Sequence, residues 1–374
     1  MKQMLVLQSS AVIIGTVIGA GILGLPFAFV QAGFWTGMIV LGLIGACILI
    51  LSLFFGEVTL RTKELHQLTG YTEKYLGTIF KNIQGFLLLF GMYSALLAYT
   101  IGLGEIFSTV LSGSAFAWSI GAYLVLAFFV IRGLNIIKRA EFVIGILILG
   151  LLFTLALIAT PHMDFKALSG FDWRAFFVPY GAILFACSGI VAIPEAREVL
   201  HAKRAEKSLK MAILIGNSVP VIVYAIFSLI VVAVTGTETS EIATVGLSSA
   251  IGPVALIVGG LFSIMAMSSS FMTLGVAMKS IFHYDYHAPQ VLAIILTLSL
   301  PLVLFLLGVR DFFSVVSVAG ALSVGLTGLI SVATFWRARH HGDRKPEYII
   351  PDWLAVPASI IIVLVFIAGF AYTL

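Results

Sequence analysis

Two short segments of this chain could place unusual backbone where a carboxylate and an ammonium would be held. Ala20-Gly21-Ile22-Leu23-Gly24-Leu25-Pro26 aligns without gaps on Ser188-Gly189-Ile190-Val191-Ala192-Ile193-Pro194, 168 residues further on, and every position is identical or conservative. In each copy, small residues cluster inside an apolar run and a proline stands five residues after the shared glycine, Gly21 or Gly189. A helix broken there frees N–H and C=O groups at mid-membrane, which persist only where they line a protein or water cavity. Half-helix N-termini offer partial positive charge to a carboxylate, and freed carbonyls accept from an ammonium. The pair suits a small zwitterion. Taken singly, the first cluster also reads as close helix packing through Gly15, Gly19 and Gly24.

Other residues suggest ion chemistry. Ala266, Ser269 and Ser270 fall at i, i+3 and i+4, on one helical face. Their hydroxyls, with backbone carbonyls, are hard oxygen donors for a cation such as sodium; equally, they can bond back to their own helix. Carboxylates inside spans are costly and mark candidate ion paths. Glu57, near the cytoplasmic end of the second span, reads as an inner-gate partner for a basic residue. Glu105, in the outer half of the third, reads as an outer gate or proton relay. Glu195, just after Pro194, is a proton carrier or an interfacial ion pair near Arg197, and Glu141 caps a helix start. Tyr93 and Tyr99 could aim a hydroxyl at a carboxylate, with Tyr93 or Ser94 at the better depth; Ser314 and Ser317 could reach the same region.

These groups need helices that cross a bilayer. The AVILMFWYC set makes up 60% of the 374 residues and charged residues 10%, against roughly 25% charged in soluble domains, so most of the surface must face lipid. The apolar runs are continuous and about twenty residues long, not the ten-residue alternation of a barrel. Eleven spans are predicted, near 5–31, 34–60, 83–111, 116–132, 140–160, 173–198, 208–235, 246–280, 288–308, 312–336 and 352–373. An inside N-terminus puts 18 of the 21 Lys and Arg on the cytoplasmic side, leaving only Lys166, Arg174 and Arg310 outside. That alternation fixes the N-terminus in and the C-terminus out. The charged segments 61–81 and 337–352 are read as simple connections, and Cys47 and Cys187, both in apolar runs, as neither a disulfide nor a zinc site.

Span one runs inward to outward and span six the reverse, so the matched motifs imply an inverted repeat of five helices plus five, with the eleventh added. The halves are 1–160 (spans one to five) and 161–336 (spans six to ten), followed by a cytoplasmic loop and span eleven in 337–374.

At these residues the chain resembles a known group. Gly15-Thr-Val-Ile-Gly-Ala-Gly-Ile-Leu-Gly-Leu-Pro-Phe-Ala-Phe-Val-Gln-Ala-Gly33 is similar to the first-helix signature of the amino acid/auxin permease family, nearest to the hydroxy and aromatic amino acid permeases. Pro179 to Arg197 resembles that family's sixth helix. Ala266 to Gly275, with His283-Tyr-Asp-Tyr286, resembles its eighth helix and following loop. The resemblance implies an all-α polytopic LeuT-type fold, in which helices one, two, six and seven move against three, four, eight and nine. It also implies cation-coupled symport of an amino acid by alternating access. Carried over by position, amides around Gly19, Ala20, Gly21 and Ile22 would receive the substrate carboxylate. Carbonyls near Phe185, Cys187, Ser188 and Gly189 would take the ammonium, Phe185 would wall the pocket and Tyr93 would assist. If sodium is the coupling ion, carbonyls of Gly15 and Ile18 would face Ala266, Ser269 and Ser270. The register of Ser268 to Ser270 is open by one residue, and no twelfth helix follows.

The expected protein is a multi-pass cell (plasma or inner) membrane permease, working as a monomer in lipid on an aromatic or other neutral amino acid. The coupling ion is H+ or Na+, with no cofactor and no nucleic acid. The rival class is an uncoupled facilitator or channel, for which rings of like residues are the usual sign. An enzyme is not expected, because no HExxH, paired-Asp or nucleophile–base constellation occurs in the spans.

Overall fold

The computed structural model describes residues 2–132 and 134–373; for residue 2, residues 134–146 and residues 284–285 it describes the backbone only, so the side chain of Glu141 lies outside it. Sixteen α-helices, short 3₁₀ turns and two π-helical segments make up its regular structure, with no strand among the described residues. Span one is α1 (Lys2–Val17), a 3₁₀ turn (Ala20–Gly24) and α2 (Leu25–Ala32), with a 48° bend between the halves. Span two is α3 (Phe34–Arg61). A short helix, α4 (Leu68–Leu76), precedes spans three to five: α5 (Thr78–Leu111), α6 (Ala115–Arg132) and α7 (Leu134–Ala159). Span six is again split into α8 (Tyr180–Ala186), a 3₁₀ turn (Ile190–Ala192) and α9 (Ile193–His201); span seven is α10 (Leu209–Thr235). Then come α11 (Ala243–Ile251), span eight α12 (Pro253–Ser280) and span nine α13 (Gln290–Leu306). Span ten is α14 (Phe312–Ala319), a π-helical segment (Gly320–Gly325) and α15 (Leu326–His341), and span eleven is α16 (Asp352–Thr373).

Among the described residues, α3, α5, α6, α10, α12, α14 with α15, and α16 are each long and apolar enough to cross a bilayer, and the bent pair α1–α2 makes an eighth span. The apolar stretch Leu147–His162 at the end of α7, the shorter α13 and the two halves of span six complete eleven. Two span starts and one connection differ from the sequence reading. The eighth span starts at Pro253, because Gly252, at φ +108°, turns the chain and makes α11 a separate outer helix. The sixth starts at Tyr180, after a coil with two 3₁₀ turns. Residues 61–81 are not a simple connection: α4 buries Leu68, Tyr71, Thr72 and Tyr75 against its neighbours.

Both ends of the bundle agree with the alternation of loops. The ends of α3, α9 and α15 carry two ion-pair clusters: Glu57 accepts from Arg61 at 2.8 Å and Arg339 at 3.3 Å, and Arg197 pairs with Glu206 at 2.9 Å. Lys279, near the end of α12, donates to the carbonyl of Val130 on α6 at 2.7 Å. At the opposite end, the amides of Phe34 and Trp35 bond Ser169 and Gly170, and Gly33, at φ +82°, sits where a Cβ would strike the Gly170 backbone at 2.8 Å. Loops that the basic residues assign to one side therefore lie together.

Candidate functional site

Span one opens at Ile18–Gly19 and span six at Cys187–Gly189, between the helical segments on either side. Gly19 is extended, with φ −134° and ψ −155°, which ends α1. The turn beginning at Ala20 leaves its first amides without intrahelical acceptors, and the end of α1 leaves carbonyls without donors. Pro26 and Pro194 each stand in the first turn of the following helix, where a missing N–H costs nothing. Proline thus restarts each helix; it does not kink one.

The two breaks touch. A Cβ on Gly21 would lie 2.8 Å from the Cα of Ala186, so the turn of span one packs on the backbone of α8. A Cβ on Gly189 would lie 2.5 Å from Val17 and 3.5 Å from Asn217 Oδ1. Between them stands Tyr224 of α10, fully buried. Its hydroxyl lies 2.6 Å from the carbonyl of Val17 and 3.0 Å from that of Ala186, the last helical residues before the two breaks. One proton is shared between two acceptors that the breaks had orphaned. Asn217, two turns further in on α10, donates to Ile213 and accepts from Ser52 of α3.

The cation candidates are only partly assembled. Gly19 faces Ser270, whose Oγ would lie 3.3 Å from an added Cβ, and the buried Tyr99 stands beside Ser270. Ser269 donates to the carbonyl of Ala266 at 3.2 Å, the back-bonded arrangement. Ala266 is buried, Ile18 is half-buried, and Gly15 is exposed with no atom within 4 Å of where its Cβ would stand. The hydroxyl side of α12 thus reaches the break at Gly19, while the first turn of the candidate set stands open.

Other sequence candidates lie elsewhere. Tyr93 donates to the carbonyl of Leu296 on α13 at 2.8 Å, away from the break, and Ser94 bonds back to Phe90. Glu105 is on an exposed face of α5, so it is brought to no site. Glu195 is on the exposed face of α9, whereas Arg197 is fully buried and bonds Glu206, Thr62, Glu64 and Tyr71. Glu57 has the basic partners expected of it, Arg61 and Arg339, and also accepts from the amide of Ile350 at 2.8 Å. Phe185 and Ser188 are half-buried beside the second break, and Cys187 is buried.

Three further features bear on the site. Tyr224 is the first, and only its burial marks it. The second is the π-helical turn of span ten: a Cβ on Gly320 would strike the Gly181 carbonyl at 1.8 Å, and Gly181 in turn meets the backbone of Ser317. Span ten therefore lies backbone to backbone on α8, and π turns recur at functional positions. The third is an aromatic cover on the outer side. Phe27 of α2 meets Phe313 edge-on at 5.1 Å, and Phe312 packs against Gly24.

Residues 2–373 match the tryptophan/tyrosine permease family. Among curated proteins, glutamine transporter 2 of Aliivibrio fischeri (strain ATCC 700601 / ES114) is 23% identical over 342 residues, covering 87% of each chain. Tyrosine-specific transport system 1 of Haemophilus influenzae (strain ATCC 51907 / DSM 11121 / KW20 / Rd) is 22% identical over 360 residues, 90% of this chain and 89% of its own. Of solved structures, that of MhsT in complex with L-phenylalanine is similar at a TM-score of 0.60 and 14% identity, covering 96% of this chain and 98% of the other. The shared fold is the LeuT type.

Proposed function

The chain belongs to the tryptophan/tyrosine permease family, and on that premise we propose that it is a cation-coupled symporter of a neutral amino acid, working by alternating access. The observation that carries the reading is the facing pair of breaks, held by the Tyr224 hydroxyl. Amides at Gly19 to Ile22 take the carboxylate, and carbonyls at Phe185 to Gly189 take the ammonium. Half-buried Phe185 walls a site for an uncharged, preferably aromatic side chain; the relatives named for tyrosine and glutamine and the L-phenylalanine complex support that class. Oxygens favour a metal cation over a proton as the coupling ion: Ser270 lies at the break beside Gly19, whereas Glu57 is already paired and Glu105 and Glu195 face outward. Sodium then sits between the end of α1 and α12, drawing Gly15 and Ile18 inward as it binds.

The test is uptake into liposomes by the purified protein, with sodium and pH gradients imposed separately and a mixed pool of labelled amino acids. Sodium-driven accumulation that falls at least tenfold in Ser270→Ala supports the reading. Accumulation driven by pH alone overturns the sodium assignment, and uptake that only equilibrates under either gradient overturns the symporter reading in favour of a facilitator.

A further inference from the structure

At the cytoplasmic end, the connection from α9 to α10 and the first turns of α1 enclose a cleft of about 510 Å³. Leu5 of α1 forms one wall; His201, Lys203, Arg204, Lys207 and Ser208 form the other. Two carboxylates also line it: Glu206 accepts from Arg197 and Arg344, and Glu347 from Arg344 through one oxygen, its Oε2 being buried without a partner. Lys203, Arg204 and Lys207 are exposed, and among the described residues no carboxylate forms an ion pair with them. The cleft is therefore cationic although two acids stand in it.

Ser208 gives the cleft a direction. It closes the 3₁₀ turn Glu206–Ser208 that runs directly into α10, and the amide of Leu209 already bonds the Glu206 carbonyl. An N-cap serine normally accepts from the amides of the first turn. Here Ser208 makes no capping bond, is 3% exposed, and its Oγ has no partner. Ser9, one turn beyond Leu5 on the same face of α1, is also fully buried with an unpartnered Oγ. Unpaired buried hydroxyls are costly, and a hydroxyl beside several cations is suited to an anion's oxygens. Topology alone explains why the segment is basic. It does not explain a concavity ending on an orphaned cap.

We propose that this cleft binds a phosphate-bearing anion, with the Ser208 hydroxyl on its oxygens and Lys203, Arg204 and Lys207 around it. Two sources share that chemistry, the headgroup of an anionic phospholipid and free inorganic phosphate. Because the opposite wall is α1, which packs along α9 and α10, an occupant holds the cytoplasmic half of broken span one in place. This site is independent of the amino acid reading above.

The full-length protein, purified in detergent and delipidated, is titrated with inorganic phosphate against chloride at matched ionic strength. In parallel it is titrated with phosphatidylglycerol vesicles against phosphatidylcholine vesicles, with the melting temperature read throughout. One phosphate-bearing probe raises it by several degrees. The double variant Lys203→Ala/Lys207→Ala weakens the apparent affinity at least tenfold, and the control Lys63→Ala/Arg337→Ala leaves it unchanged. Ser208→Ala melts like the parent without ligand, since no capping bond is lost, but shows a smaller ligand shift. A response to phosphate assigns a soluble source, and a response to phosphatidylglycerol alone assigns a lipid. No shift with either probe, or equal weakening in the control pair, overturns the proposal.

Discussion

One hydroxyl on Tyr224 serves two carbonyls that the fold cannot otherwise satisfy. Tyr224→Phe removes the donor and leaves the carbonyls of Val17 and Ala186 buried without it, a cost of about 1–3 kcal/mol. The melting temperature should fall by a few degrees and initial uptake should drop about tenfold; uptake equal to the parent's would remove Tyr224 from the mechanism. The glycines divide by what they touch. Gly21→Ala drives a methyl to 2.8 Å from the backbone of Ala186, which cannot yield, so transport is abolished. Gly19→Ala meets only a serine hydroxyl at 3.3 Å and should retain transport with a weaker cation dependence. The breaks themselves were legible because small residues and a proline occur twice in the same order. Tyr224 was not, because a single tyrosine in an apolar helix has no spacing to mark it. Tyr93 misled for the opposite reason. Depth along α5 placed it well, but its direction toward α13 is set by packing, and a helix apolar all round does not reveal which side faces the bundle.

Among elements, the outer ends of α11 and α14 show how a connection can respond to acid. Glu241, just before α11, accepts from the amide of Phe313 at 3.2 Å, and Asp311 caps α14 through the amide of Ser314 at 2.6 Å. Burial, and then the charge of Asp311 beside it, push the Glu241 carboxyl above its ordinary value. Arg310 does not relieve this, since it stacks on Phe116 and Phe305. A carboxyl raised in the folded state stabilises most fully below the unfolded value of about 4.3, and that stabilisation is lost as pH rises through the folded one. The α11–α14 contact should therefore loosen as pH rises from acid toward neutrality. Hydrogen exchange at Phe313 and Ser314, corrected for intrinsic rates, should become less protected over that range, and Glu241→Gln should flatten the trend. Protection that grows with pH in the parent would contradict the sign. None of this could be read from sequence, where residues 235–252 passed as a loop and part of a long eighth span; the turn at Gly252 depends on a positive φ that many other glycines in the chain do not adopt. The π segment of span ten escaped for a similar reason: Gly320 and Gly325 look like ordinary packing glycines until α8 is laid against them.

For the whole molecule, the two ends are closed by different chemistry. The cytoplasmic end is tied by buried ion pairs joining α3, α9, α15 and the segment before α16. Glu57→Gln leaves Arg61 and Arg339 facing a neutral amide and should cost about 3–5 kcal/mol, read as a large fall in melting temperature. The outer end is closed by rings: Phe27 against Phe313, and Phe312 over Gly24. Aromatic contacts of this kind contribute about 0.5–1.5 kcal/mol beyond area, little enough for the cost of opening to be met from binding energy. If the outer face must open in every cycle, joining those two positions should stop transport. The two native cysteines, Cys47 and Cys187, are buried and give little background labelling, so Phe27→Cys/Phe313→Cys can be bridged by a short bismaleimide. Each single variant should keep most of its uptake after treatment, whereas the bridged pair should lose it and yet still bind substrate from the cytoplasmic side. Continued uptake with the bridge in place would mean that the substrate does not pass between α2 and α14, and the rocking mechanism would have to be replaced by another path through the bundle.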